Sequence, residues 1–442
     1  MKSKNILLKV IVELSRLILG ATFVFSGFVK AVDPMGMAYK LQDYFLAFHV
    51  DFLSGLSLTF SIMLAVIEFL LGAFLIIGIY RRKVTIGILA VMCFMTPLTL
   101  YLAIANPVTD CGCFGEALII TNWETFYKNI ILLACAIVVF LKFDLITNLY
   151  TGKFYWVVAI YSLLFITAFS IYNCIYEPVF DFRPYKIGAN LPELMSVEEG
   201  KGDVYENVFV YQKDGNKKEF NESNYPWQDT TWTFVEMSTK LVKEGIKPVI
   251  HDFVIEKLTF DENKNQIVSE DDITQEVLSD TNYVFLMIAY SLTSINESYL
   301  SSFEDVNNYA TDNGYKFYCL TASTSDETMI WEKENSFNFT YCKTDERTLK
   351  TITRSNPGLV LLKNGKVLNK WADLQVPAEA SLTKPLTQLD AATVDKSPTV
   401  EKTNRNTLIF LIAVFVIPLL CIKAFDFLIY QKKRKKETEI TE

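Results

Sequence analysis

Six long apolar runs alternate with polar segments along this chain. A helix needs about 20 mostly apolar residues to cross a bilayer. Runs of that kind cover residues 5–29, 56–80, 84–105, 123–140, 154–175 and 407–430. The first run is too long for a signal peptide, contains Glu13 and Arg16, and lacks a small-residue cleavage site. The pattern therefore predicts six transmembrane helices.

Basic residues predict how these helices are oriented, because short loops rich in Lys and Arg stay in the cytoplasm. Such residues precede the first run, separate the second from the third and the fourth from the fifth, and follow the sixth. All four clusters fall on one side if every run spans. We therefore expect both termini in the cytoplasm, and the 109–118 loop and residues 176–406 outside. A composition rich in Lys, Ile, Asn, Phe and Tyr fits an AT-rich bacterial genome. In a bacterium the membrane is then the inner membrane, and the outside is the periplasm.

The long polar segment divides into two parts. Val208–Tyr211 and residues 218–220 flank Asp214-Gly215, which predicts a β-hairpin, and 261–271 reads as a polar loop. From residue 282, strands at 283–290, 315–321 and 337–342 alternate with helices at 297–313, 327–335 and 345–353. A hairpin at 358–371 turns through Asn364-Gly365. This alternation predicts a partly parallel sheet, and residues 379–405 read as a Thr/Pro/Ala-rich linker.

Composition narrows the classes of function. The chain has 442 residues, of which 51% are hydrophobic, with a mean hydropathy of +0.23. This mixture indicates a membrane part and a soluble part. A net charge of −8 argues against nucleic acid as a partner. His49 and His251 are the two histidines in the sequence, which argues against a multi-histidine metal site, and we predict no metal.

The most informative motif is Asp110-Cys111-Gly112-Cys113-Phe114-Gly115, which lies between two apolar runs. A disulfide between Cys111 and Cys113 would close a small, strained ring and be easily reduced, and Gly112 provides the backbone freedom to close it. We predict a redox-active pair as the catalytic residues. A structural disulfide or two inert thiols stays open, as does copper(I) binding by two soft thiolates.

The other cysteines are weaker candidates for a redox role. Cys319 and Cys342 lie in predicted strands and could form a secondary disulfide in an oxidising compartment, as a stabilising bridge or a resolving pair. Cys174, at the outer end of the fifth run, could resolve a mixed disulfide with the loop. The remaining three read as apolar packing within the membrane: Cys93, Cys135 and Cys421.

Ionisable residues within apolar runs are costly unless paired. Arg16 and Glu68 lie near the middle of the first two runs, so we predict that they form an intramembrane pair. That pair could fix helix register, or it could belong to a quinone site or a proton path. Lys30 and Asp33 lie near the outer interface, where long side chains reach for water.

The first four runs resemble the DoxX/MauE group of four-helix membrane proteins over about residues 5–145. The CGCFG loop is the most specific match, and the other matching residues are Arg16, Gly20, Phe23, Ser26, Gly27, Lys30, Pro34, Glu68 and Gly72. The resemblance implies support of disulfide formation in a periplasmic partner. It also makes a quinone a candidate cofactor.

The outer segment resembles thioredoxin- and peroxiredoxin-type domains. Residues 186–192 resemble their entry segment, and residues 355–358 resemble the region around the thioredoxin cis-proline, which implies a cis bond before Pro357. The redox Cys-x-x-Cys of that family should follow the first strand. Residues 291–296 contain no cysteine, so the usual active site is absent.

These interpretations give a membrane protein with a four-helix bundle, six transmembrane helices in all, and an α/β thioredoxin-like domain. We divide the chain into a DoxX/MauE-like domain (1–145), a fifth helix and connector (146–180), a periplasmic domain (181–378), a linker (379–405) and a C-terminal helix with a basic tail (406–442). We predict redox support of periplasmic protein maturation, with lipid and a protein as partners. A non-enzymatic scaffold is the alternative, and the sequence leaves open whether the chain is a thiol–disulfide oxidoreductase.

Overall fold

The computed structural model describes residues 2–108, 110–197, 200–243, 245–261, 266–335 and 337–441. A helical region comes first, and a separate sheet-rich region follows it. The helices of the first region are α1 Lys2–Val32, α2 Pro34–Ala47, α3 Ser57–Ile77, α4 Arg81–Ala105, α5 Asn122–Leu141 and α6 Tyr155–Ile175.

Within the described residues, five helical stretches are long and apolar enough to cross a membrane. They are Asp51–Ile77, Arg81–Ala105, Asn122–Leu141, Gly152–Ile175 and Val400–Lys432. These stretches correspond to the second to sixth predicted runs. The first run lies within α1, a helix of 31 residues that is not one of the five. All six runs are therefore helical, and five have the length and composition of membrane spans.

Glycines bring α1 and α3 into close contact. A Cβ atom at Gly27 would lie 2.3 Å from the backbone nitrogen of Phe69, and one at Gly72 would lie 2.6 Å from that of Val24. The two helices run antiparallel, so the C-terminal part of α1 lies beside residues 65–69. The middle of α1 lies beside residues 72–76, where Gly20 packs against Ile76.

The short helix α2 was not predicted. Pro34 occupies its first turn, and the Asp33 side chain caps it by accepting a hydrogen bond from the Gly36 backbone N–H at 2.9 Å. Proline is favoured at this position because its missing N–H would be unpaired there. The helix packs against α3 and brings Lys40 and Tyr44 to the end of the bundle that carries residues 110–113.

A small antiparallel sheet begins the later region. Its strands are β1 Val204–Lys213, β2 Asn216–Phe220 and β3 Thr233–Lys243, in the order β2-β1-β3. The predicted hairpin is confirmed. Asp214 and Gly215 have φ values of 53° and 82°, the left-handed conformation that a two-residue hairpin turn requires. Strand β3 was missed because it lies far from its partner β1 in sequence.

The second sheet has seven strands in the order β10-β9-β6-β7-β8-β4-β5. Strands β6, β7 and β8 are parallel, and the other pairings are antiparallel. The predicted partly parallel sheet is therefore confirmed. The strands are β4 Glu256–Phe260, β5 Ile267–Asp272, β6 Tyr283–Ala289, β7 Lys316–Thr321, β8 Tyr341–Lys343, β9 Gly358–Lys363 and β10 Lys366–Ala372.

Helices cover both faces of this sheet. They and the flanking helices are α7 Leu191–Leu194, α8 Thr274–Leu278, α9 Leu300–Asp312, α10 Ser325–Asn335, α11 Glu346–Ile352, α12 Ala391–Val394 and α13 Val400–Thr441. The three helices predicted between strands are present with slightly different ends. The Asn356–Pro357 peptide bond, between α11 and β9, is cis.

Alternate residues of the strands supply two apolar cores. Phe285 and Met287 of β6 pack on one face with α9, whereas Val284 and Leu286 pack on the other face. Successive side chains of a strand point to opposite faces, so a strand buried on both sides is continuously apolar.

Two expectations differ from the structure. The loop predicted at 261–271 is wrong from residue 267 onward, because Ile267–Asp272 forms strand β5 and pairs with β4. Residues 262–265 of that loop lie outside the described residues. Strand β8 begins at Tyr341 rather than at residue 337. Both strands are short or polar and form through partners distant in sequence.

The 379–405 segment, predicted as a linker, packs on the sheet-rich region. Leu386 and Val394 are buried, and the Lys396 backbone N–H donates to the Leu368 carbonyl at 3.1 Å.

Candidate functional site

The Cys-Gly-Cys loop lies between α4 and α5 at one end of the bundle. The Cys111 and Cys113 sulfur atoms are 2.8 Å apart and both are free. Gly112 has a φ of +65°, and a Cβ atom there would lie 3.0 Å from Lys40. The Gly112 N–H donates to the Asp110 carboxylate at 2.8 Å, and the Gly115 N–H donates to the Gly112 carbonyl at 3.1 Å. These bonds hold a tight turn with the two thiols facing each other.

A buried polar cluster supports the loop from beneath. Lys30 Nζ donates to the Glu68 carboxylate, the Ser26 hydroxyl and the Cys113 carbonyl oxygen, each at 2.7 Å. The Ser26 hydroxyl also lies 2.7 Å from the Glu68 carboxylate and from the Cys113 carbonyl. The Tyr44 hydroxyl donates to the Cys111 carbonyl at 3.0 Å. Side chains of α1, α2 and α3 therefore fix both cysteine carbonyls.

The two thiols have different acidities. The hydrogen bond from the Cys111 thiol is the main cause that lowers the pKa of Cys113 to about 7. Burial opposes this shift, and the positive charges of Lys128 and Lys30 reinforce it. The same hydrogen bond, together with burial, raises the pKa of Cys111. Cys111 is 6% exposed, whereas Cys113 is partly exposed. Cys113 is thus the thiolate of the pair.

An apolar cavity of about 730 Å³ lies beside the loop, within the helical bundle. Cys111, Cys113 and the Lys30–Glu68 pair line its polar end, where Lys128 Nζ also lies 4.1 Å from the centre of the Phe114 ring. Most of its wall is hydrocarbon from α2, α3 and α4, including Phe48, Met63, Ile67, Phe94, Met95 and Leu98.

The other side of the loop faces a polar environment. Lys40 Nζ forms an ion pair with the Asp110 carboxylate at 2.7 Å. Lys40 and Glu116 also line a polar cavity of about 260 Å³ between α2 and α11, together with Lys350 and Arg354. The thiols therefore lie between an apolar cavity and a charged surface of the sheet-rich region.

Buried charges connect the sheet-rich region to the bundle. Arg354, which follows α11, binds the Asp33 carboxylate through Nε at 2.9 Å and Nη2 at 2.5 Å. Burial disfavours ionisation of Asp33, but the charges of Arg354 and Arg183 outweigh it and hold its pKa below the ordinary value.

The connector after α6 extends this network. Arg183 is 1% exposed and binds Glu177 at 2.6 Å and Asp181 at 2.7 Å. Lys370 Nζ of β10 also binds the Asp181 carboxylate, at 2.9 Å. Burial opposes ionisation of Glu177 and Asp181, yet the nearby cations lower both pKa values. Basic and acidic groups thus neutralise one another where the connector meets the sheet.

The predicted Arg16–Glu68 pair is not formed. Arg16 binds Glu13 at 2.8 Å and donates to the Leu75 and Ile76 carbonyls, whereas Glu68 binds Lys30. The register of the antiparallel helices places Arg16 beside the end of α3 and Glu68 beside the end of α1. Lys30 and Asp33 are therefore not simply reaching for water. Both are ion-paired within the protein.

Cys319 and Cys342 are free and do not form the predicted disulfide. Their strands β7 and β8 are neighbours, but Cys319 is opposite Tyr341 and Cys342 is opposite Leu320. An offset of one residue places the two side chains on opposite faces of the sheet. Burial raises the pKa of both thiols, which makes them poor nucleophiles.

The remaining cysteines lie outside the site. Cys174 on α6 is partly buried and does not line the cavity beside the loop. Cys93 and Cys421 are exposed on helices with the composition of membrane spans, and Cys135 is partly buried.

Several site residues were missed by sequence reasoning. Tyr44 and Lys40 belong to the unpredicted helix α2, and Lys128 belongs to α5. Arg354 reaches Asp33 across 321 positions of the chain. The sequence signal available for these residues was a polar side chain in or beside an apolar run. That signal does not show which distant residue the side chain contacts.

The architecture is that of a helical bundle with a cysteine loop at one end. Residues 8–142 match the family described as methylamine utilisation protein MauE. This match confirms the MauE part of the resemblance for the helical region and indicates a membrane protein of redox or maturation support. Residues 205–244, which include most of the small sheet, match a domain of unknown function, DUF8463. No curated protein matches the chain.

Proposed function

We propose that this protein is a bacterial inner-membrane thiol–disulfide exchange protein that supports the maturation of proteins outside the cytoplasm, with Cys111 and Cys113 as the exchanging pair. The observation that carries this proposal is the 2.8 Å separation of two free sulfur atoms in a tight loop. The neighbouring cations Lys30 and Lys128, which stabilise a thiolate at Cys113, support it.

The exchange would begin from the oxidised pair. A partner thiolate attacks Cys113 Sγ and forms a mixed disulfide while Cys111 leaves as the thiolate. A second partner thiolate then attacks the partner sulfur of that bond and releases Cys113. The partner gains a disulfide, and Cys111 and Cys113 are left as a reduced pair with the two protons that the partner thiols lose.

The orientation of the protein belongs to the same proposal. The loop must face the compartment that contains the partner, and the basic segments on the opposite side would hold both termini in the cytoplasm. Ion pairs between Asp33 and Arg354 and between Asp181 and Lys370 support a sheet-rich region on the same side of the membrane as the loop.

We also propose a thioredoxin-like fold for that region. The strand order β10-β9-β6-β7 has a parallel central pair joined by α9 and an antiparallel hairpin on the other side of β6. Residues 291–296, after β6, contain no cysteine. The region would therefore recognise the partner, while chemistry occurs at the loop.

The test is the redox state of the loop in living cells. After acid quench and alkylation with a mass-tagged maleimide, we expect a mixed population of Cys111 and Cys113 that shifts with respiration or added reductant. Cys111→Ser and Cys113→Ser should leave the protein folded and abolish partner oxidation, whereas Cys93→Ser provides a matched control. Full activity in the double-serine variant would overturn the proposal.

A scaffold is the second candidate function. The absence of a cysteine after β6 favours it, because the sheet-rich region would then serve only for docking. Under this alternative, a partner co-purifies stably and its binding survives replacement of both loop cysteines. A pair that stays oxidised, or reduced, under every growth condition would also favour the scaffold.

A further inference from the structure

Strand β3 forms an open edge of the small sheet. At 11 residues it is longer than the other strands that the structure describes. It pairs with β1 on one side, and no strand among the described residues lies on its other side. Its side chains are exposed, except that Val235 is partly buried. The outer edge of β3 therefore presents backbone N–H and C=O groups to which another strand can add.

The other sheet edges are covered, charged or short. Beside β10, the Lys396 N–H of the 379–405 segment donates to the Leu368 carbonyl. At the far edge of the seven-stranded sheet, β5 ends in three consecutive acidic residues, Glu270–Asp272, which repel those of another copy. Strand β2 has five residues, of which three are charged. Edges of these kinds resist pairing between molecules, so β3 is the edge best suited to it.

One face of the small sheet is apolar and is uncovered near β3. Over β1, residues 220–232 cover this face, and the Tyr225 ring stacks on Phe209 with ring centroids 4.6 Å apart. On β3 the same face is open, and its apolar side chains are 45–54% exposed. They are Phe234, Met237 and Leu241. A second sheet that adds at this edge would bring its own side chains against the uncovered part of the face.

The sequence of β3 is complementary to itself in antiparallel pairing. Residues 236–241 pair with β1 without a register shift, so this part of the strand is regular. When Ser238 lies opposite Ser238 of a second copy, the Glu236 of each copy lies opposite the Lys240 of the other, because partner numbers in an antiparallel pair have a constant sum. Both of these charged side chains are exposed. Opposite charges attract at directly opposed positions, whereas like charges repel.

This register also joins the apolar faces. It places Met237 opposite Thr239 of the second copy, and its diagonal neighbours there are Met237 and Leu241, which are within reach of a long side chain. The two-fold axis lies perpendicular to the sheet, so the apolar faces of both copies lie on the same side. On its inner side, Lys240 lies opposite Glu206 of β1. The lysine would thus have an acidic residue on each side in the combined sheet.

We propose that two copies of this chain associate through antiparallel pairing of β3, centred on Ser238, and form a six-stranded sheet with the order β2-β1-β3-β3-β1-β2. The small sheet is then a dimerisation element, and each dimer carries two Cys-Gly-Cys loops. Dimerisation of this kind does not depend on thiol exchange. It gives a role to residues 205–244, whose family match is to a domain of unknown function.

The first experiment exchanges the two charges in the full-length chain, purified in detergent. A dimer of the Glu236→Lys variant, or of the Lys240→Glu variant, has two pairs of like charges, whereas a dimer of one variant with the other has two pairs of opposite charges. Analytical ultracentrifugation should show a dissociation constant about tenfold higher or more for each variant alone, and recovery in the equimolar mixture. Recovery also shows that both variants are folded. Lys217→Glu, on the exposed edge of β2, is the control and should leave the dissociation constant unchanged.

The second experiment tests the register. Residues directly opposite each other in antiparallel strands have Cα atoms about 4.5–5.5 Å apart, a separation that a disulfide spans. Ser238→Cys should therefore give a covalent dimer in isolated membranes after mild oxidation, and mass spectrometry should identify the peptide linked to itself. Lys217→Cys is the matched control and should not form this link. A monomeric chain, a dimer that the charge variants leave unchanged, or a Ser238→Cys variant that links only to another protein would overturn the inference.

Discussion

Cys113 differs from Cys111 in the charges and hydrogen bonds around its sulfur. Its pKa, lowered to about 7, means that the thiolate is present above that pH and is lost by protonation below it. Because only the thiolate is nucleophilic, reactivity should follow this titration. Cys111 holds its proton to a higher pH, since its hydrogen bond to Cys113 and its burial both oppose ionisation.

We therefore expect iodoacetamide to modify Cys113 of the reduced protein with half-maximal rate near pH 7. The Lys128→Met variant should shift this midpoint upward, because one of the positive charges that stabilise the thiolate is removed. Mass spectrometry of the loop peptide at several pH values gives the profile. A midpoint near the ordinary thiol value of about 8.5 would contradict the assignment.

Lys30 and Glu68 form a largely buried ion pair beneath the cysteine loop. Lys30→Met would leave the Glu68 carboxylate buried without its cation, at a cost of about 3–5 kcal/mol. Lys30→Met/Glu68→Leu removes both charges and should recover much of that loss. Thermal denaturation in detergent measures both variants. Lys343→Met, which removes an exposed pair with Glu270 at 3.8 Å, is the control and should cost about 1 kcal/mol or less.

The contact between α1 and α3 decides where these charges meet. Small residues let the helix backbones approach, and the resulting register brings Ser26 and Lys30 to Glu68. Membrane helices commonly use small residues in this way, because packing rather than burial from water drives their association.

Gly27→Ala should separate the two helices, since the new methyl group would collide with the Phe69 backbone. Overpacking of this kind costs about 1–3 kcal/mol. Thermal denaturation should show the loss, and the Cys113 midpoint should rise as Lys30 moves away. Gly55→Ala is the matched control, because a Cβ atom at Gly55 would contact nothing within 4 Å. Equal stability of the two variants would contradict this packing.

At the scale of the whole molecule, buried ion pairs fasten the sheet-rich region to the bundle. Arg354→Ala would leave Asp33 unpaired and free the connector, so limited proteolysis within residues 176–190 should become faster. Arg347→Ala is the control, because its pair with Asp43 at 3.5 Å is 75% and 48% exposed and contributes little. Identical proteolysis of both variants would show that Arg354 does not hold the regions together.

Acid should weaken the same attachment. Asp33, Glu177 and Asp181 have pKa values held below the ordinary range, so their contribution is complete above about pH 4 and is lost as pH falls through the lower folded-state values. Proteolysis of the connector by pepsin should therefore accelerate as pH is lowered from 4 to 2, in an otherwise intact chain. A constant rate over this range would indicate that other contacts carry the attachment.

The sequence by itself determined the elements with strong local patterns. Continuous apolar runs gave the long helices, Asp214-Gly215 and Asn364-Gly365 gave both hairpins, and strand–helix alternation gave the partly parallel sheet. The cysteine loop was also visible, because its spacing is local. These features depend on neighbours within a few residues, so the chain alone specifies them.

Only the tertiary structure decided which distant groups meet. Helix register paired Glu68 with Lys30 instead of Arg16, and strand register put Cys319 and Cys342 on opposite faces. Strands β3 and β5 exist through partners that local periodicity does not reveal. The cavity beside the thiols forms between α2, α3, α4 and α5, and no single segment encodes it. Such features depend on packing between elements, which a one-dimensional pattern does not contain.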